Sequence, residues 1–180
     1  AELSARDYHG TQVAGAIAAA DNDVGTVGSC PDCLLLPIRL FGAGGPADLF
    51  TTGSAAAAAI VWAVDHGADV LNNSWGPPDG NRFNPWADAE LHEIPQAIAE
   101  ALRYAATKGR NGLGSPIVWS AGNGAELATY DRYVSHPLVI AVGSINHHGT
   151  LAYYSDWGPT ISFVTPSSGT FHQQIGRAQV

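Results

Sequence analysis

The chain has 180 residues, 46% hydrophobic and 13% charged, with 21 glycines and 11 prolines, the length and composition of about one globular domain with a real core. Sixteen acidic residues against eight basic ones leave a net charge of −8, which argues against nucleic acid or an anionic membrane as partner and suits a cationic one. This hydrophobicity excludes a disordered chain, and the most apolar stretch, Ala55 to Val64, is roughly half the ~20 residues needed to span a bilayer.

No methionine occurs, even at position 1, and nothing at the start resembles a signal peptide, so the chain reads as a processed product or an internal piece of something longer. In chain order, Gly10 to Ala20 predicts a helix with Val13, Ala14, Ile17 and Ala18 on one face, followed by the turn Asp21-Asn22-Asp23-Val24-Gly25. Cys30 and Cys33 lack the second ligand pair of a zinc site and are either a short disulfide or two buried thiols. The apolar run Cys33 to Leu40 predicts a buried strand, Ser54 to His66 an Ala-rich helix closed by Gly67, and Asp69 to Asn73 a short strand. A Pro/Gly/Asn loop follows from Trp75 to Pro85. Ala87 to Lys108 predicts a long amphipathic helix with His92 on its surface, and Pro116 to Ser120 and Leu138 to Val142 two more buried strands. His147 and His148 fall in a hairpin turn. Continuous apolar strands alternating with helices predict an α/β fold, a three-layer doubly wound sheet, mostly parallel, whose function gathers at the carboxyl ends of the strands.

Three segments carry chemical signals. In His9-Gly10-Thr11-Gln12-Val13-Ala14-Gly15, a histidine stands at the mouth of a helix whose positive dipole end disfavours imidazolium, leaving a neutral ring able to accept a proton. Taken alone, the same residues also describe a surface histidine near a helix start. Ser120-Ala121-Gly122-Asn123-Gly124 places an amide directly after a buried strand, where it can donate to a developing oxyanion or simply satisfy a turn. Ser74-Trp75-Gly76-Pro77-Pro78-Asp79-Gly80 runs from a strand into a loop whose edge can pair with an extended peptide.

In this order the three segments resemble the subtilases, serine proteases with an Asp, His, Ser triad. The run Lys108 to Ser115 leading into Val118 to Gly124, with Ser74-Trp75-Gly76-Pro77, resembles the kexin/furin branch. The resemblance covers most of the chain and fades after about Pro166. It implies a subtilisin-like endopeptidase of the extracellular or secretory compartment, acting on a polypeptide, with His9 as general base and Asn123 as oxyanion donor. Ser74, Trp75 and Gly76 would line the substrate strand, and Asp79 and Asp131 the pocket for a basic side chain. It also implies structural calcium, held by the Asn22 side chain and the carbonyls of Ala20, Val24 and Thr26, and a second ion near the acidic pocket using Asp79 and Asp156. Only eight residues precede His9, and Ser167-Ser168-Gly169-Thr170 is not the family's Gly-Thr-Ser order, so the triad's Asp and Ser are expected outside residues 1–180. The chain alone is then expected to be inactive, completed by the remaining fragments of its own catalytic domain. The competing expectation is a non-catalytic pseudoprotease or peptide-binding module that keeps the cleft.

Overall fold

The computed structural model of the chain describes residues 8–41, 51–80 and 90–167. Helix α1 spans Tyr8–Ala18, α2 Gly53–Asp65 and α3 Gln96–Gly112; strands β1 to β4 span Leu71–Asn73, Ile117–Ser120, Val139–Ile145 and Phe163–Pro166. The strands form one sheet in the order β1-β2-β3-β4, every pair parallel, with Leu71 opposite Ile117 and Trp119 opposite Ala141. This is the expected α/β architecture. Among the described residues no helix is long and apolar enough to cross a membrane.

Alternation along β2 buries Ile117 and Trp119, and their ladder partners Leu71 and Ala141 point to the same face. Helix α2 presents Ala56, Ala57, Ile60, Ala63 and Val64 to that core, and α3 presents Ile98, Ala101, Leu102 and Ala105, each a stripe at helical spacing. The many alanines let the two helices approach closely. Thr52 opens α2, its Oγ1 accepting the Ala55 N–H at 3.1 Å, and His66 and Gly67, at φ 86°, close it.

Several expectations need correction. The run Cys33 to Leu40 forms no strand: no ladder partner lies beside it among the described residues, and its side chains up to Arg39 are open to solvent, Leu34 at 99%, with only Leu40 packed against the core. A strand exists only through its neighbours, whatever its composition. The long helix begins at Gln96 rather than Ala87, since Pro95 occupies its N-cap. Residues 90–95 are not helical, and 87–89 lie outside the described residues. His92 is therefore not on a helix surface: its N–H donates to Tyr130 O at 2.8 Å and its O accepts the Arg132 N–H at 3.0 Å. The α-helical geometry of α3 does end at Lys108, because Arg110 and Asn111 stand at φ 52° and 57°. Strand β4 is an element that sequence periodicity missed. Cys30 and Cys33 are joined as a disulfide, with Cα atoms 5.3 Å apart. His147 and His148 lie, as expected, in the Asn146–Thr150 turn after β3.

Candidate active site

Because β1 and β2 run parallel, the loops that leave them, 74–80 and 121–126, emerge at the same end of the sheet. The first loop is anchored by tryptophan. Trp75 Nε1 donates to Asn73 Oδ1 at 3.1 Å, Trp119 Nε1 donates to Trp75 O, and the Trp75 ring packs on Trp119 and Tyr133 with centroids 4.7 and 6.0 Å away. Its ring thus belongs to the core, leaving Ser74 and Gly76 as the open part of the edge. Ser74 Oγ accepts from Asn72 Nδ2 at 3.1 Å.

The second loop bends at Gly122, whose φ of 116° suits only glycine and whose missing side chain makes room for acids: a Cβ there would lie 2.2 Å from Asp156 Oδ2 and 2.9 Å from Asp79 Oδ1. Asn123 follows, three residues past the end of β2, with its N–H donating to Asp79 Oδ2. Asp156 comes from the segment that returns after the β3 turn. Its Oδ1 accepts from Gly124 N–H at 2.9 Å and from Glu126 N–H at 3.1 Å. Glu126 Oε1 accepts from Gly80 N–H at 3.3 Å and closes the ring back onto the first loop. Asp79, Glu126 and Asp156 thus bring carboxylate oxygens within 4.8 Å of one another.

Asp156 is 1% exposed and Glu126 5%, so like charges meet in a poorly solvated place. Burial first, and then the charge of Asp79, pushes the Asp156 carboxyl up to about 8. Much of Asp79 is exposed, yet its carboxyl end is desolvated against the cluster, which raises it despite the Asn123 N–H. Asp131 stands apart, its Oδ2 lying 3.6 Å from where a Gly76 Cβ would be. Burial lifts it to about 6, opposed by the N–H groups of Tyr133, at 2.7 Å, and Val134.

A hard cation with oxygen ligands fits this donor set: three converging carboxylates, two of them buried, that repel one another without it. The sequence pairing of Asp79 with Asp156 found two of the three. Glu126, in Ala-Glu-Leu after the Asn123 turn, carries no motif of its own and becomes meaningful only once 122–126 lies beside 154–157. In the 20–26 loop expected to hold calcium, Asn22 Oδ1 accepts from Val24 N–H at 3.2 Å, while Ala20, Asn22, Val24 and Thr26 are all exposed. His9 sits in the first turn of α1, exposed, and has no hydrogen bond or ion pair among the described residues. The structure therefore gathers Asn123, Asp79, Glu126 and Asp156 in one network, sets Asp131 beside Gly76 on the loop that also carries Ser74, and leaves His9 outside both. Ser168, Gly169 and Thr170 lie outside the described residues.

Comparison with known proteins decides the family. A sequence model of the subtilase family matches residues 1–177. The chain belongs to the subtilases. A calcium-dependent protease of Trichormus variabilis is 41% identical over 168 residues, covering 91% of the chain and 24% of that protein. A dibasic-processing endoprotease of Yarrowia lipolytica is 32% identical over 173 residues, 94% of the chain and 16% of that protein. Among solved structures, a protease from Pseudoalteromonas arctica superposes with a TM-score of 0.72 at 26% identity, over 91% of the chain and 45% of its own. The subtilase chain thus spans a quarter or less of the two curated relatives and under half of that solved protein.

Proposed function

We propose that the chain is the central part of a subtilase catalytic domain that hydrolyses peptide bonds through an acyl-enzyme, with a preference for a basic side chain before the scissile bond. The observation that carries this reading is the contact of Asn123 with Asp79 where the loops leaving β1 and β2 meet, with Asp131 beside Gly76 of the first loop.

In this reading the substrate lies along Ser74 and Gly76, the open continuation of β1, an edge strand among the described residues, and pairs with their backbone. His9, at the N-terminus of α1, takes the proton of a serine nucleophile supplied by a part of the protein outside residues 1–180 and returns it to the leaving amine. An aspartate from the same source orients the imidazole. The Asn123 side-chain NH₂ donates to the oxyanion as the carbonyl becomes tetrahedral. Asp79 and Asp131 face the side chain before the scissile bond and compensate a desolvated guanidinium or ammonium. Calcium bound by Asp79, Glu126 and Asp156 would supply the positive charge that relieves their repulsion, and the Ala20, Asn22, Val24 and Thr26 loop would hold a second ion. The names of the two relatives, a calcium-dependent protease and a dibasic-processing endoprotease, support both features. Release to an extracellular or secretory compartment belongs to the same proposal.

The test is cleavage of a peptide library by the full-length protein, its Asp79→Asn form and its Asp131→Asn form. Arg and Lys substrates are expected to be favoured over Leu, and each substitution to cost about 10–100-fold of that preference, the worth of one charge-assisted contact. Equal cleavage after Leu and Arg would leave a general subtilase whose Asp79 and Asp131 do not read the substrate side chain. Peptide binding without cleavage would make it a binding module.

A further inference from the structure

We propose that Asp156 is a positioning residue for Asn123: it holds the backbone on both sides of that residue and so fixes where its amide points. The proposal rests on the reading of Asn123 as oxyanion donor and assigns Asp156 work distinct from holding a cation.

The geometry is that of a clamp. The Asp156 N–H donates to Gly122 O, one residue before Asn123, at 3.3 Å. Asp156 Oδ1 accepts the N–H of Gly124, one residue after it, at 2.9 Å, and that of Glu126 at 3.1 Å. One residue therefore makes three hydrogen bonds that straddle Asn123. The loop it holds needs holding, since Ala125 at φ 56° is a left-handed conformation that a residue with a Cβ keeps only against a cost. The clamp is itself rigid. Asp156 is 1% exposed, its O accepts from Ser155 Oγ at 3.0 Å, and the Trp157 N–H donates to Glu126 O at 3.0 Å. From the other loop, Asp79 accepts the N–H of Asn123 itself. A hydrogen-bond donor aimed at a developing oxyanion loses its effect with small misplacement, about 10²-fold for 1 Å.

Asparagine at position 156 keeps an Oδ1 able to accept both N–H groups but lacks the charge a cation needs, whereas alanine keeps neither. In the full-length protein at saturating calcium, Asp156→Ala is expected to lower kcat about 10–100-fold with little change in KM. Asp156→Asn should recover most of that loss. In an Asn123→Ala background, Asp156→Ala should cost little further turnover, because the group it positions is gone. Hydrogen exchange on the same proteins should show the Gly124 and Glu126 amides protected in wild type and Asp156→Asn and open in Asp156→Ala. If Asp156→Asn is as impaired as Asp156→Ala, or the Ala effect adds fully to that of Asn123→Ala, Asp156 acts through the cation or the fold alone and the proposal fails. Should Asp156→Ala not fold, lost Gly124 protection in a folded Asp156→Asn would overturn it equally. Absence of peptidase activity in the wild type would instead sink the functional reading, leaving the exchange result to judge the clamp.

Discussion

Asn123 illustrates what a single side chain can contribute and how it is checked. Asn123→Ala in the full-length protein is expected to lower kcat about 10²–10³-fold with KM little changed, the loss known for the corresponding donor of a subtilisin, a member of the same family. Near-normal turnover would make Asn123 a turn residue only. Gly122 sets a different constraint: Gly122→Ala forces a left-handed φ on a residue with a Cβ and drives that Cβ into the Asp156 carboxyl. A loss of roughly 1–3 kcal/mol or more is expected in denaturant unfolding, with the Asn123 loop displaced. At this scale the sequence was informative where a residue sits in a motif. His9 and Asn123 could be placed at a helix mouth and beyond a strand end, as the structure has them. Glu126 could not be found, because its role depends on a pairing with 154–157 that no local pattern encodes.

Among the elements, those whose burial is periodic were legible: α2, β1 and β2 fall where their apolar spacing puts them. The rest failed for identifiable reasons. Pro95 starts α3 nine residues after the periodic pattern begins, because residues 90–95 serve a backbone pairing between His92 and the 130–132 segment instead. The 33–40 run has strand composition without a strand's neighbours, and β4, with Phe163 and Val164 exposed, has neighbours without a buried pattern. Trp119 is where the elements depend on one side chain, fully buried on β2 and in contact with the rings of Trp75 and Tyr133. Trp119→Ala is expected to cost about 3–5 kcal/mol, measured by urea unfolding. It should also loosen the Ser74 to Gly76 edge, since its Nε1 anchors Trp75 O.

Across the molecule, the acids couple stability to pH and, in the proposed reading, to calcium. With Asp156 at about 8 and Asp131 at about 6, the ion-free folded chain binds more protons than the unfolded one, whose aspartates titrate near ~3.9. Their contribution is therefore full below ~3.9 and is lost as pH rises through about 6 and then about 8. Calcium bound as proposed would take the ionised form of Asp156, so its apparent affinity would rise with pH across the same window. Thermal unfolding with and without calcium should show a larger gain in Tm at about pH 8 than at about pH 5. An equal gain at both would place the ion away from Asp156. The parallel order of the sheet made this arrangement foreseeable in outline, since it sends successive strand-end loops to one edge; which acids meet there was not.

The Gly124 N–H held by Asp156 Oδ1 also bears on how the protein ages. Asparagine followed by glycine is the sequence most prone to deamidation: the glycine nitrogen attacks the side-chain carbonyl carbon, ammonia leaves, and water opens the succinimide to Asp or isoAsp. The chain has two such pairs, Asn111-Gly112 on the exposed turn after Lys108 and Asn123-Gly124 in the site. At the second, the attacking nitrogen has its proton engaged by a buried acceptor at 2.9 Å and is kept from turning inward. Peptide mapping after prolonged incubation at alkaline pH should find Asn111 converted well before Asn123. When the second conversion does come, it would set a carboxylate at the proposed oxyanion donor, so in that reading the lifetime of activity would follow one backbone hydrogen bond.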